Sequence, residues 1–437
     1  MKSVLKEEQN VGLETFYTET LGIGGKLRSI PEDFIVEERF SHPKHDEKGP
    51  FCIATIKSKN WETNQLVRTI GKNLQVSRKR IHFAGTKDKR AVSTQLFSFY
   101  DVSVEKIQQL SIKDVTISDI YLSSEKLFLG NLKGNHFNIC IRNISSEKTE
   151  QNLKDIITPL QDIGGFPNFF GIQRFGIIRP ITHIVGKKIV QDDFEGAVMT
   201  YLIFLDEHED IHSYQQRKQL SETNDFKAAF HSFPSYLNYE KAMLNHLQVH
   251  PDDFVGALKE LPKNLITMFV YAYQSYLFNK MLSRRITMGL PLNQAVIGDT
   301  VTEIREEKNT ENYFQVNSNN LDKVNKQIKR GKAVVSSVLI GANTEFSKGE
   351  MGEIEESIFE KESIDKRDFI IPKLPLASSM GTRRGVYTPL ENVSYQIEKD
   401  SLNPDMKQVR LEFDLKKGCY ATSFLREIMK ATDIRNY

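Results

Sequence analysis

A single carboxylate lies within a strongly basic stretch of the chain. Residues 85–95 read GTKDKRAVSTQ, and Asp88 is the one acidic residue between positions 72 and 95. Seven basic residues against this one acid give the stretch a formal charge of +6, whereas the whole chain carries +2. Nearby cations favour the ionised form of a carboxylate, so Asp88 is expected to be a nucleophile or base, in a segment that binds a polyanion. The basic residues are Lys72, Arg78, Lys79, Arg80, Lys87, Lys89 and Arg90.

Charge alone leaves a second interpretation open, in which this segment is a solvated turn and Asp88 only balances the neighbouring cations. The order of residue types resembles the signature of the TruD family of pseudouridine synthases, a Gly-x-Lys-Asp-Lys/Arg run that ends in Ala-Val-x-x-Gln. The resemblance implies that Asp88 is the catalytic aspartate. The matching residues are Gly85, Lys87, Asp88, Lys89, Ala91, Val92 and Gln95.

Further blocks along the chain resemble the same family and follow one another in the same order. Several blocks in register are far more specific than one short motif. The blocks are residues 31–34 (PEDF) with Val36, 134–137 (GNHF), 167–176 (PNFFGIQRFG), 274–279 (QSYLFN) and 417–422 (KGCYAT) with 425–427 (LRE).

Membership of this family implies an isomerase that converts uridine to pseudouridine in tRNA, usually at position 13 in the D-arm. The reaction breaks the N1–C1′ bond, rotates the uracil and joins C5 to C1′, without redox change or hydrolysis. We therefore expect no cofactor and no metal, and no obligatory protein partner is apparent. One carboxylate suffices to attack the ribose or the base, or to take the 2′ proton, and the sequence leaves these routes open. The detached uracil must also be confined so that it turns without escaping.

A target uridine in folded RNA must first be flipped into a pocket with an aromatic face and hydrogen-bonding groups. The resemblance places Asn135 and Phe137 against the bound base and Tyr420 beside the catalytic aspartate. By pattern alone, Phe137 is in phase with Ile139 and Ile141 and is typical of a core residue. Tyr420, just after a predicted strand, is by pattern alone equally compatible with a half-buried corner tyrosine.

The catalytic aspartate needs a cationic partner that the C-terminal motif does not supply. Some other pseudouridine synthases carry an arginine two residues after the motif tyrosine, whereas this chain has Thr422 at that position. Arg28 and Lys87 are the candidate partners, and either is also compatible with a surface cation. The residues expected to bind RNA phosphates are Arg78, Lys79, Arg80, Lys89 and Arg90.

The spacing of apolar residues predicts strands at both ends of the chain and helices in the middle. Alternation indicates strands over 27–40, 51–56, 94–102, 409–415 and from Phe137 onward, and helical spacing covers 63–74, 265–282 and 424–430. Residues 187–285 are mostly helical in pattern, and polar stretches occur between 300 and 370. Pattern alone leaves three consecutive domains equally plausible. The resemblance implies an α+β fold in which a pseudouridine-synthase-type catalytic domain with a mixed or antiparallel sheet (1–168 and 387–437) is interrupted by a large inserted α+β domain (169–386).

Composition is that of an ordinary globular protein. At 437 residues the chain is long enough for two domains, with 39% hydrophobic and 27% charged residues. Three widely spaced cysteines without a C-x-x-C motif favour a reducing compartment and argue against a structural zinc site. Membrane-length apolar runs and a signal-peptide core are both missing from the sequence, so we expect a cytoplasmic protein without a membrane partner.

Two other classes of function compete with this assignment. Residues 208–212 read HEDIH, which spells the H-E-x-x-H signature of zinc metalloproteases. The segment is rich in acids and is followed by no third-ligand motif, both of which argue against zinc. The third class is a non-catalytic RNA-binding protein, in which the basic segment holds phosphates and Asp88 does no chemistry.

Overall fold

The computed structural model describes residues 1–145, 147–304 and 312–437, and these residues form two compact units. The sheet unit comprises Thr20–Phe166, Thr388–Ala431 and Asn436–Tyr437. The helix-rich unit comprises Met1–Glu19, Pro167–Tyr387 and Thr432–Arg435. In this division the first 19 residues belong to the helix-rich unit, and the domain boundaries drawn from the sequence stay a prediction.

Strands are most frequent towards both ends of the described chain, and helices are most frequent in its middle. The strands are β1 (Phe34–Phe40), β2 (Phe51–Lys59), β3 (Ile81–Phe83), β4 (Val92–Tyr100), β5 (Val115–Ser123), β6 (Leu132–Ile144), β7 (Gly165–Pro167), β8 (Thr300–Glu303), β9 (Tyr313–Gln315), β10 (Ala333–Leu339), β11 (Thr382–Gly385), β12 (Tyr387–Pro389), β13 (Glu391–Lys399) and β14 (Lys407–Lys416). The helices are α1 (Lys6–Asn10), α2 (Thr63–Leu74), α3 (Val104–Gln108), α4 (Thr149–Ile163), α5 (Thr182–Val190), α6 (Phe194–Ile203), α7 (Ile211–Thr223), α8 (Phe226–Ser232), α9 (Asn238–Leu247), α10 (Phe254–Lys259), α11 (Lys263–Thr287), α12 (Leu321–Lys329), α13 (Gly349–Glu360) and α14 (Ala421–Met429). Among the described helices, none combines the length and the apolar character that crossing a membrane requires.

The sheet unit is built on one mixed sheet with the order β13-β14-β6-β1-β4-β2-β5, and β3 pairs with β4. β1 runs parallel to β4 and antiparallel to β6, while β14 returns from the end of the chain to lie antiparallel to β6. This confirms the predicted α+β class with a mixed sheet. The register places Val36, Phe137 and Phe413 side by side on neighbouring strands, so their side chains share one face.

α2 has the bounds that the sequence pattern predicts. Leu66, Val67 and Ile70 are buried on one face of this helix and belong to the same core as Phe97 of β4. The helix is capped by Glu62, whose carboxylate accepts hydrogen bonds from the backbone N–H groups of the first turn. The side chains of α2 thereby cover the sheet next to the loop that carries Asp88.

The strand predicted over 27–40 starts only at Phe34. Arg28 has a φ of +55°, and Pro31–Asp33 forms a short 3₁₀ turn, so the chain cannot be extended there. Asp33 is buried and accepts hydrogen bonds from the backbone N–H of Ile30 (3.0 Å) and from Nε of Arg142 (2.7 Å). The PEDF block therefore folds into a turn that is fixed to β6, and this turn precedes β1.

In the helix-rich unit, α11 is the longest helix and packs against α5. A Cβ at Gly186 would lie 1.9 Å from the carbonyl oxygen of Phe269, so the close approach of the two helices requires glycine there. Gln274 and Asn279 are buried and hydrogen-bond to backbone groups of other segments, so the 274–279 block packs in the core. β11, β10, β8 and β9 form a smaller sheet. Residues 305–311 of the polar stretch between 300 and 370 lie outside the described residues.

Candidate active site

Asp88 lies in the loop between β3 and β4. Its side chain is 77% exposed, so the carboxylate is available to a ligand. The loop begins after Phe83 and ends where β4 starts beside β1, in the middle of the mixed sheet. Since loops held by a rigid sheet commonly carry catalytic groups, this position suits a reactive carboxylate.

Arg28 is the cation that pairs with Asp88. Nη2 of Arg28 lies 3.3 Å from Oδ2 of Asp88, and the guanidinium stands 4.3 Å from the ring centroid of Phe34. The backbone carbonyl of Arg28 also accepts a hydrogen bond from Nη2 of Arg90, at 2.9 Å. Contacts on the ring and on the backbone restrict Arg28, so the charge opposite Asp88 has a defined position.

Lys87, the other candidate partner, is turned away from Asp88. Its Nζ lies 2.5 Å from Oε1 of Glu38 in β1, and these two side chains are 9% and 0% exposed. A buried charge needs a partner of opposite sign, and the pair supplies one to each residue. Lys87 therefore attaches the loop that carries Asp88 to the sheet.

The last residue of the signature, Gln95, completes this attachment. Its amide Nε2 donates to the carbonyl of Gly85 (2.6 Å) and to Oε1 of Glu38 (3.2 Å). Its Oε1 accepts a hydrogen bond from Thr63 Oγ1 (3.0 Å), which in turn accepts one from the backbone N–H of Lys87 (2.7 Å). Both ends of the loop segment before Asp88 are thus held by partly buried hydrogen bonds.

Glu38 was not identified from the sequence, although a signal is present. It is an acid in phase with Phe34 and Val36 on a strand whose side chains at these positions are buried. A carboxylate at a position where the pattern requires an apolar residue indicates a buried ion pair or a functional group.

Phe137 is packed in a row of aromatic rings on the sheet. Its ring centroid lies 6.1 Å from that of Phe34 and 5.3 Å from that of Phe413, and the residue is only 6% exposed. Phe413 in turn contacts Phe424 of α14 (4.9 Å). The burial agrees with the core position that the alternating pattern indicates, and it leaves little of the Phe137 ring available to a base.

Asn135 stands directly across from Glu38 in the register of β1 and β6. The Oδ1 atom of Asn135 is buried and makes no hydrogen bond within the described residues, and the same holds for Oε2 of Glu38. A buried acceptor without a donor is costly, so a site with two of them can accept donors from a ligand or from water.

Tyr420 lies at the N-terminal cap of α14 and is half exposed. The turn before it is attached to the loop between β5 and β6, because Nζ of Lys417 donates to the carbonyl of Gly130 (3.1 Å). The N–H of Gly130 donates to the carbonyl of Ala84 (2.7 Å), the first residue of the loop that carries Asp88. Gly130 therefore connects the segment that carries Tyr420 with the one that carries Asp88.

The expected phosphate-binding residues fall into two groups. Arg78, Lys79 and Lys89 are exposed. Arg80 is held by the backbone carbonyl of Tyr100 (2.8 Å) and by the Asp101 carboxylate (2.9 Å), and Arg90 donates to the Arg28 carbonyl. The first group remains available to RNA, whereas part of the charge of the second is engaged within the protein.

The geometry contradicts the zinc-protease alternative. His208 lies in a turn, whereas His212 belongs to α7, so the two imidazoles do not share one helical face. Glu209, the would-be base, is ion-paired with the buried Arg217 at 3.0 Å. Within residues 1–145, 147–304 and 312–437 no three His, Cys, Asp or Glu side chains are grouped closely enough to hold a metal ion.

Comparison with known proteins gives a consistent result. The family model described as "tRNA pseudouridine synthase D (TruD)" matches residues 10–428. A "Probable tRNA pseudouridine synthase D" of Methanosarcina barkeri is 42% identical over 434 residues, covering 98% of both chains, and one of Thermococcus sibiricus is 38% identical, covering 95% of this chain and 97% of the relative. A crystal structure from Methanosarcina mazei, described as "Putative tRNA pseudouridine synthase D (TruD)", superposes with a TM-score of 0.88 at 40% identity and 99% coverage of each chain. The chain therefore belongs to the TruD family of tRNA pseudouridine synthases, as its sequence motifs predicted.

Proposed function

We propose that this protein isomerises a uridine of tRNA to pseudouridine and that Asp88 is its catalytic aspartate. The observation that carries the proposal is the position of Asp88 within the family signature. The Asp88 side chain is exposed and lies 3.3 Å from Arg28. The preceding residue, Lys87, is ion-paired with Glu38 of β1, which attaches the loop to the sheet. An accessible carboxylate with a cation 3.3 Å away is suited to nucleophilic or basic catalysis.

Arg28 holds the Asp88 carboxylate in position until the substrate arrives. Its guanidinium is confined over Phe34, so the pair cannot rearrange freely. A fixed partner reduces the reorganisation that the reaction requires, which is the general advantage of a preorganised site.

The uracil is bound by Asn135 and Tyr420 in this proposal. The unpartnered Oδ1 of Asn135 is a suitable acceptor for the N3–H of uracil. Tyr420 is half exposed, so its ring is accessible for stacking on the base. The buried Phe137 packs beneath the site that the base occupies. Lys87, the other candidate partner of Asp88, instead positions the Asp88 loop through its buried pair with Glu38.

The exposed cations Arg78, Lys79 and Lys89 bind phosphates of the tRNA, with Arg80 and Arg90 contributing the charge that their internal contacts leave available. The isomerisation exchanges one C–N bond for one C–C bond, so the chemistry calls for no cofactor or metal. We further propose position 13 of the D-arm as the target and the cytoplasm as the location, in keeping with the family.

Mapping of pseudouridine by carbodiimide-dependent reverse-transcription stops tests this proposal. Unmodified tRNA is treated with wild type or with Asp88→Asn, and a stop at position 13 that appears only with wild type is the expected result. Stops at another uridine would correct the target. An absence of stops on tRNA and on total RNA, with RNA binding retained, would support the non-catalytic RNA-binding alternative.

A further inference from the structure

An exposed apolar tip lies in the loop between β5 and β6. Phe128 and Leu129 are adjacent in this loop, and they are 54% and 74% exposed. Single apolar residues are common on protein surfaces, but two consecutive large apolar side chains at a loop tip form an exposed patch. Burial of such a patch in a complex is favourable. The proposed chemistry at Asp88 uses neither side chain.

The tip is held beside the catalytic loop. Gly130, the next residue, donates its N–H to the carbonyl of Ala84 at 2.7 Å and accepts a hydrogen bond from Lys417 Nζ at 3.1 Å. Gly130 has a φ of +90°, a conformation that glycine adopts without strain. Since Ala84 begins the loop that carries Asp88 and Lys417 precedes Tyr420, the tip has a fixed position relative to both.

The surroundings of the tip are cationic. Nζ of Lys126 stands 4.7 Å from the ring centroid of Phe128, and Lys133 is exposed at the start of β6. With Lys417, three lysines accompany the apolar pair, and Glu125 is the one acid between residues 124 and 133. An apolar tip with a cationic base is complementary to nucleic acid, in which stacked bases lie between rows of phosphates.

We propose that Phe128 and Leu129 form a wedge that inserts into the base stack of the tRNA beside the target uridine. The inference rests on the proposed function, because a uridine in folded RNA must leave its stack before Asp88 can reach it. Unstacking is unfavourable, and an apolar side chain that occupies the gap offsets part of that cost. Both side chains are positioning residues in this proposal, since they hold the flipped state and do no chemistry.

The test compares the double variant Phe128→Ser/Leu129→Ser with Leu402→Ser. Leu402 is a matched exposed leucine in the turn between β13 and β14. In an Asp88→Asn background, 2-aminopurine placed next to position 13 of the tRNA reports unstacking independently of catalysis. In proteins that retain Asp88, single-turnover rates at saturating enzyme are measured on two substrates. One is folded tRNA, and the other is a single-stranded oligonucleotide with the same target sequence, whose uridine is already unstacked.

In the Asp88→Asn background, we expect tRNA binding to raise 2-aminopurine fluorescence when Phe128 and Leu129 are present. The double serine variant should produce no such rise. Its rate on folded tRNA falls at least about tenfold, whereas its rate on the oligonucleotide stays within about twofold of wild type. Leu402→Ser matches wild type on both substrates. Equal losses on both substrates would overturn the wedge, because they would indicate general damage to the loop, and so would an unchanged rate on tRNA.

The two proposals fail in different ways. If the otherwise wild-type protein converts no uridine in either RNA, the proposed function is wrong, and the wedge, which rests on it, is overturned with it. If conversion occurs but binding of Asp88→Asn produces no fluorescence rise, the wedge alone is wrong.

Discussion

The ammonium of Lys87 lies 2.5 Å from the carboxylate of Glu38, so the residue directly before the proposed catalytic aspartate is bound inside the fold while Asp88 itself faces solvent. Consecutive residues thus have opposite roles. One fixes the loop to β1, and the other is presented to the substrate. The pair accounts for the lysine of the signature without assigning it a substrate contact.

Removing one partner of the buried Lys87–Glu38 pair should reduce the stability of the protein. We expect Glu38→Ala to lower the free energy of unfolding by about 3–5 kcal/mol, because Lys87 would be left buried without a counter-charge. Glu37→Ala, at the exposed neighbouring position, is the control and should change stability by less than about 0.5 kcal/mol. Urea unfolding followed by circular dichroism measures both. A double variant, Glu38→Ala/Lys87→Met, should recover part of the loss, and strict additivity of Glu38→Ala and Lys87→Met measured singly would contradict the pairing.

Asp88→Asn should abolish the activity without affecting the fold. The side chain is 77% exposed, so its replacement by an isosteric amide removes the charge and little packing. We expect the single-turnover rate to fall by at least about three orders of magnitude, with an unchanged melting temperature. Asp405→Asn, in an exposed turn of the same unit, is the matched control and should be fully active. A residual rate above one tenth of wild type would exclude Asp88 as nucleophile or base.

Replacement of Arg28 should act on kcat more than on KM. Loss of a hydrogen bond to a charged group is worth about 1.5–3 kcal/mol, so Arg28→Ala is expected to lower kcat by roughly tenfold to a hundredfold. Arg28→Lys should restore part of this rate, because it keeps the charge but not the planar contact with Phe34. Lys26→Ala removes an exposed cation two residues away and serves as the control. A change confined to KM would indicate that Arg28 binds a phosphate rather than Asp88.

The dependence of tRNA binding on salt should distinguish the exposed cations from those engaged within the protein. Each phosphate contact that is lost reduces the slope of log K against log salt by about 0.7–0.9. We expect Arg78→Ala/Lys79→Ala to reduce the slope by more than Arg80→Ala does, since Arg80 is paired with Asp101. Filter binding of tRNA between low and moderate salt gives these slopes. Equal slopes for wild type and the Arg78/Lys79 variant would remove these two residues from the interface.

Asp414 should make the stability of the sheet unit depend on pH. Burial raises the pKa of this carboxyl, but hydrogen bonds from Asn392 and His136 and the charge of Arg39 outweigh it and lower the pKa below its usual value. A pKa that is lower in the folded state stabilises the protein above the unfolded value of about 3.9, and this stabilisation is lost as the pH falls through the folded value. Urea unfolding from pH 6 to pH 3 should therefore show a steeper acid loss for wild type than for Asp414→Asn. Parallel curves would contradict the prediction.

Local patterns in the sequence were sufficient to predict the position of several helices and strands. Helical spacing gave α2 its bounds, and alternation located β6 and β14, because both periodicities follow directly from which side chains one element buries. The strand predicted from residue 27 began too early, since the turn at Pro31–Asp33 depends on a hydrogen bond to Arg142, 109 residues away. Alternation within a segment carries no information about such a partner.

The sequence by itself determined the family, through the order of its motifs, and singled out Asp88 as the one acid in a basic stretch. Only the tertiary structure decided which cation pairs with it. Arg28 and Lys87 were equivalent candidates, and the register of β1, β4 and β6 brings Glu38 under Lys87 while leaving Arg28, 60 residues before Asp88, to face it. Ion pairs between distant segments are set by strand order and by burial, and neither quantity can be read from the residues adjacent to the charge.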